Sequence, residues 1–256
     1  MFPFIDVIRR SFVANIKENF VGFSNYLNVF SNSAFQLAGK NTIRFVSICI
    51  PLLVLLSLLI GVFLHRQGKS GSLFKTLYLL PMAIPVASVV LLWKLLFHSQ
   101  GFLNGMLAKL GFVPIDWMNS KYAFWILVFS YLWKNMGYNI VLWLAGLSSV
   151  SENLYEAARV DGAGEWKIFL KITMPNLMPT LYTITVISFL NSFKVFREAY
   201  LVGGDYPHQS MYLLQHLFNN WYRELSFDKM SAAAVVVAVI IFFLTVLLQK
   251  AWASEE

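Results

Sequence analysis

EAARVDGAGEWKIFLKITMP, residues Glu156–Pro175, lies between two apolar runs, Phe124–Leu147 and Thr180–Phe193. Its spacing predicts a helical hairpin. Ser149 and Glu152 have the S-x-x-E spacing of a capping box, so a helix is expected to begin near Val150. Leu154, Ala157, Ala158 and Asp161 then share one face. Gly162 suits a left-handed helix end, where a Cβ would be costly. A second helix, from about Gly164 to Thr173, would place Trp166, Phe169, Leu170 and Thr173 together. Pro175 is expected to end it, with Pro179 tolerated in the first turn of the next helix. Helices this short are marginal in water, where about 12–15 residues are needed. The hairpin therefore needs a surface to lie on, either lipid or a cytoplasmic partner. Glu152, Glu156, Asp161 and Glu165 are poorly suited to an anionic leaflet, which favours the partner.

Working outward, the 256-residue chain is 58% hydrophobic and 13% charged. Soluble domains average about 45–50% and 25%, so the composition implies an all-α integral membrane protein, a polytopic helical bundle. Five spans are visible, at about 43–64, 73–97, 122–147, 177–202 and 230–248. Each has the roughly 20 residues that cross a hydrocarbon core. Continuous rather than alternating apolar residues favour helices over a barrel. The net charge of +7 falls mostly at the ends of apolar runs, which fits topology and anionic lipid rather than nucleic acid. Cys49 is the sole cysteine, so no intrachain disulfide can form.

Orientation follows from the basic loop HRQGKSGSLFK, which reads as cytoplasmic. Its Gly68–Ser72 stretch reads as a flexible turn. Alternation places the hairpin inside, and the loops at His98–Lys121 and Gly203–Asp228 outside. Five spans put Arg9, Arg10, Lys17 and Lys40 outside, against the positive-inside tendency. A preceding span removes the conflict. Residues 1–38 accordingly read as an external segment, the remnant of a first span, and 39–250 as the membrane domain. MFPFIDVIRRSF lacks the order of charges and the cleavage site of a signal peptide.

Glu156-Ala157-Ala158, Asp161-Gly162-Ala163, Phe169, Ile172, Pro175 and Pro179 together resemble the EAA loop of type I ATP-binding-cassette importer permeases. Met174 stands where that loop usually has leucine. The likeness extends to FVGFSNYLNVF, LFKTLYLLPMAIPVASVVLLWKLLF, GFLNGMLAKLG with IDWM, and LWLAGLSSVSENLYEAARVDGA. These resemble the carbohydrate branch, in its MalF- or UgpA-like first permease subunit. The resemblance implies a multi-pass protein of the bacterial cell membrane that imports a sugar, oligosaccharide or polyol. It implies a second, MalG-like permease, two ATPase subunits that bind ATP and Mg, and an external binding protein. Residues 149–175 would be the coupling loop, seated in a cleft of an ATPase. Glu156 would pair with a basic residue there, while Ala157, Ala158 and Gly162 permit a close fit. The chain itself would bind no cofactor and catalyse nothing. The other reading is a membrane anchor that recruits a cytosolic partner through the hairpin without transport.

Polar residues inside spans are costly unless they face a partner or a cavity. Asn135, Tyr138 and Asn139 lie within about one turn of each other, near Lys134 and Trp143, and Asn191 and Lys194 precede Arg197 and Glu198. Two readings stand: hydrogen bonds between helices, or a hydrophilic path whose amides and rings suit sugar hydroxyls and apolar sugar faces. Gly68-Lys69-Ser70 lacks the earlier glycine of a phosphate loop, since Phe63 occupies that position. The four histidines show no metal-ligand spacing. Pro51, Pro81 and Pro85 are expected to kink their spans.

Overall fold

The computed structural model describes residues 2–15, 19–67 and 72–253. Lys17 and the Gly68-Lys69-Ser70 stretch lie outside the described residues, as does most of the expected Gly68–Ser72 turn. The described chain is mostly helical, with turns and loops between the helices and an isolated antiparallel bridge, Val13 with Phe20. Its helices are α1 (Phe2–Ser11), α2 (Ser24–Ser31), α3 (Ser33–Arg66), α4 (Ser72–Ala83), α5 (Val86–Phe97), α6 (Phe102–Lys109) and α7 (Ala123–Ser149). After these come α8 (Glu152–Val160), α9 (Glu165–Ile168), α10 (Met174–Asn176), α11 (Met178–Ser192), α12 (Phe196–Gly203), α13 (Leu214–Arg223) and α14 (Phe227–Ala253).

Two compact units divide the chain. The first comprises Met1–Phe45, Val86–Leu127 and Phe193–Leu247. Its core joins Val29 of α2 and Ala38 of α3 to Leu217 and Trp221 of α13 and to Ala232 and Ala233 of α14. The small residues let these helices approach closely, the way apolar helices associate in a bilayer. Buried amides pin the irregular backbone. Asn41 Nδ2 donates to the carbonyls of Gln209 (2.6 Å) and Tyr212 (3.0 Å). Asn104 Nδ2 donates to the carbonyls of His98, Ser99 and Ile115, and its Oδ1 accepts from Ile115 N–H and Trp117 Nε1.

The second unit comprises Val46–Pro85, Val128–Ser192 and Leu248–Glu256. Leu58 of α3, Trp143 and Leu147 of α7, Leu177 and Ile184 of α11 form its core. Gly137 of α7 is required by a close approach: a Cβ there would lie 1.9 Å from the Tyr78 carbonyl oxygen of α4.

The expected span at 73–97 is divided into α4 and α5. Ile84 precedes Pro85, whose ring pushes the preceding residue out of helical geometry. Pro51 and Pro81 instead sit inside continuous helices. The expected span at 177–202 is likewise divided, into α11 and α12, by the 3₁₀ turn Phe193–Val195. Among the described residues, three stretches are long and apolar enough to cross a membrane: Ser33–Arg66, Val86–Lys109 and Phe227–Leu247. Helix α7 matches the expected 122–147 in position, but Lys134, Asn135 and Asn139 make it more polar.

Candidate functional site

The hairpin forms, with three departures from the sequence expectation. The capping box does not close. Ser149 ends α7 and donates to the Gly146 carbonyl (2.7 Å), while Ser151 takes the N-cap position of α8. The turn after α8 follows expectation. Gly162 has φ +73°, its N–H donates to the Arg159 carbonyl, and Ala163 N–H donates to that of Ala158. That is the paired bonding of a Schellman helix end.

The second departure lies in the second arm. Helix α9 has four residues and runs into a π turn, Phe169–Thr173, where Met174 N–H bonds to the Phe169 carbonyl. Pro175 has no N–H to donate and its ring would crowd the Lys171 carbonyl, so a widened turn is the less strained entry. Pro175 therefore does not end the arm but sits inside α10. The third departure follows from the widened register. Thr173 is buried and Phe169 half-buried, whereas Leu170 and Trp166, whose ring stacks on Phe169, are exposed, so the four differ in burial.

The arms close on each other through Tyr155 Oη and Thr173 Oγ1 (3.2 Å). Ile168 is buried and Phe169 packs onto the Trp143–Leu177 core. Glu165 accepts from Arg159 Nε (3.4 Å) and from Arg66 Nη2 (3.5 Å). A cavity of about 360 Å³ lies beneath, between Val62 and His65 of α3 and Glu152 and Tyr155 of α8.

The opposite side of the hairpin is open. No residue of α8 is buried. Val160 is 88% exposed, Trp166 73%, and Leu154 and Leu170 about half. Glu156, Ala157, Asp161, Gly162 and Pro175 are exposed, and Ala158 and Ala163 are half-buried.

The expected path residues belong to both units, all but Lys194 to the second. Asn139 is buried, and its Nδ2 donates to Ser188 Oγ of α11 (2.9 Å). Tyr131 Oη donates to the Ser188 carbonyl (2.5 Å). Trp143 is fully buried, and its Nε1 donates to Ser57 Oγ of α3 (3.0 Å). Asn135 folds back onto the Tyr131 carbonyl of its own helix (2.9 Å). Tyr138 and Asn191 are half-buried in the same unit, and Lys194 is exposed on the 3₁₀ turn of the first unit. Sequence reasoning missed Ser57 and Ser188. Ser57 is a lone hydroxyl in an apolar run, and that placement was the available signal, whereas Ser188 is one of several hydroxyls in α11. Among the described residues no cluster of three or more His, Cys, Asp or Glu is placed to hold a metal.

The family described as binding-protein-dependent transport system inner membrane component matches residues 53–253. This chain belongs to that family. Like other inner membrane components, it is an integral, all-helical protein of the cell membrane.

The arabinooligosaccharides transport system permease protein AraP of Bacillus subtilis is 34% identical over 79% of this chain and 66% of its own length. The trehalose/maltose transport system permease protein MalF of Thermococcus litoralis is 31% identical over 79% of this chain and 70% of its own. For the xylose/arabinose import permease protein XacH of Haloferax volcanii the values are 32%, 71% and 58%. The chain thus spans less than two thirds of the length of AraP and XacH. A crystal structure of a bacterial ABC transporter involved in import of the acidic polysaccharide alginate shares the fold. Its TM-score is 0.83 over 99% of this chain and 89% of that one, at 23% identity.

Proposed function

We propose that this inner membrane component is a permease subunit of an ATP-driven importer for a sugar, an oligosaccharide or a polyol. Its hairpin docks a cytoplasmic ATPase. The observation that carries the reading is α8: nine residues long, with no buried side chain. A helix so short is not stable on its own, so the chain lacks the surface that completes it. Glu156, Ala157 and Gly162 lie on that open side. Alanine and glycine allow close backbone approach, and Glu156 supplies a charge for a basic partner.

Hydrolysis belongs in this reading to two separate ATPase subunits that hold ATP and Mg, and this chain is not itself an enzyme. Five spans, or six with a preceding one, put residues 149–175 on the inner face. A second permease completes the path and an external binding protein delivers the solute. Support comes from the relatives, named for arabinooligosaccharides, trehalose/maltose and xylose/arabinose. A second alginate transporter structure is described as complexed with a pentasaccharide-bound periplasmic protein. Asn135, Tyr138 and Asn191 of the second unit, and separately Lys194 of the first, are the groups proposed to meet solute. Asn139 and Trp143 hold the walls through Ser188 and Ser57.

The test is Glu156→Lys in the assembled complex. Membrane insertion is expected to stay normal while co-purification of the ATPase and uptake of maltose or arabinose oligosaccharides fall. Undiminished uptake with normal assembly would refute the docking role. ATPase capture by the wild type without any uptake would favour the anchor.

A further inference from the structure

We propose that Glu165 is a positioning residue that fixes the hairpin to the end of α3, a helix to which the hairpin has no covalent connection. The inference rests on the coupling role proposed above. In sequence the hairpin joins only α7 and α11. Glu165 adds a third attachment. One carboxylate oxygen accepts from Arg159 of α8, and the other accepts from Arg66, the last residue of the 34-residue α3.

The cavity makes this attachment matter. Val62 and His65 line one side and Glu152 and Tyr155 another, with about 360 Å³ of space between. Packed side chains therefore do not set the distance from α3 to α8 there. The two structures meet at the rim through Glu165 and, one turn on, through Phe169, which packs on the core containing Leu58 of α3. Residues 165 and 169 are spaced i, i+4 on the same side of the arm. Both arginines are more than half exposed. Such pairs add little to stability and weaken in salt. The carboxylate instead holds the hairpin in register with α3, so a displacement of one is passed to the other.

Glu165 also opens α9, where any acid is favoured by the helix dipole. Glu165→Asp separates the two roles, because it keeps the charge and shortens the reach. The assembled complex in lipid is spin-labelled at Phe63→Cys of α3 and Lys171→Cys of the hairpin, both exposed. The buried Cys49 stays unlabelled. The distance between labels is measured by pulsed electron resonance before and after adding ATP with Mg.

In the wild type the label distance is expected to stay a single narrow distribution. In Glu165→Asp and in Arg66→Gln the population at that distance should fall about fivefold, the lower end of ordinary coupling between sites. Arg159→Gln, which spares the bond to α3, should keep the wild-type distribution. Wild-type distances in Glu165→Asp and Arg66→Gln, with the ATPase still bound, would overturn the proposal. So would equal loss in all three variants. Failure of the wild type to retain an ATPase would instead sink the coupling role itself.

Discussion

The hairpin of α8 and α9 and the segment carrying α13 are made of similar parts: short helices and tight turns set between long apolar helices. They differ in how completely they are packed. Helix α13 buries Leu214, His216, Leu217, Asn220 and Trp221. Asn219 and Arg223 bond to the Asp205 carboxylate and Asn220 to the Asp205 carbonyl, while Gln215 Oε1, His216 Nε2 and Asn220 Oδ1 are buried without a partner. Helix α8 has no fully buried residue, and its Leu154 and Val160 face outward. One segment is packed by its own chain, and the other leaves its side chains open, as the proposed docking role requires. The same kind of substitution should therefore damage folding in the first and association in the second.

The largest expected effect is in the finished segment. Asn41→Leu leaves the Gln209 and Tyr212 carbonyls without their donor. A buried polar group left unsatisfied costs about 1–3 kcal/mol, so the variant should lose about 2–4 kcal/mol in all. Thermal unfolding of the purified protein in lipid measures it. Near-wild-type melting would mean that α13 is not held as described.

The second prediction uses pH. His216 is fully buried, stacked on Tyr212 and edge-on to Phe196, and its Nδ1 accepts from Leu213 N–H. Burial pushes its imidazole from the ordinary 6.5 down to about 4, with Asp205 opposing. Above 6.5 neither the folded nor the unfolded state is protonated, so the group adds no pH dependence. Between 6.5 and 4 the unfolded state alone takes up a proton, and stability falls with pH by about 1.4 kcal/mol per unit. His216→Asn keeps an acceptor near Nδ1 and cannot titrate. Its melting temperature should be lower throughout but flatter over that window, and an unchanged slope would assign the titration elsewhere.

Third is Gly162→Val. Nothing lies within 4 Å of the position a Cβ would take, so the cost is in the backbone at φ +73°. That is about 1–2 kcal/mol for an L side chain, confined to a turn with no core behind it. Global melting should barely move while ATPase capture drops. Gly162→Asn, which tolerates this conformation better, should retain more capture than valine.

The apolar runs and the Gly162 turn could be read from the sequence because each rests on local chemistry, either burial along a helix or sterics at one residue. The π turn could not. It arises from Pro175 acting on a helix already fixed by Ile168 and Phe169, a conflict between neighbours that single-residue preferences do not contain. The amides stayed open between two readings for a related reason. Asn139 and Asn135 have the same composition and share a helix face, yet one reaches Ser188 and the other folds back on Tyr131. Only the neighbouring helix decides which, and its register is a tertiary fact. Proline geometry accounts for the break at Ile84–Pro85, but Pro81 was expected to disturb the span equally, and nothing local told it from Pro85; it stays inside α4.

The smallest effect on stability is the sharpest test of the contrast. Val160 ends α8 and is 88% exposed. Valine loses rotamer freedom in a helix and alanine does not, so Val160→Ala should raise stability by a few tenths of a kcal/mol. If the exposed face is an interface, the same change removes apolar area from it, at about 25 cal/mol per Å² buried. Affinity for the ATPase should then fall while melting temperature holds or rises. The two readouts move in opposite directions, which a general loss of folding cannot produce. Were affinity to stay level with melting, the docking face would have to lie elsewhere on the hairpin, and Trp166→Ala, at 73% exposure on the other arm, would be the next position to measure.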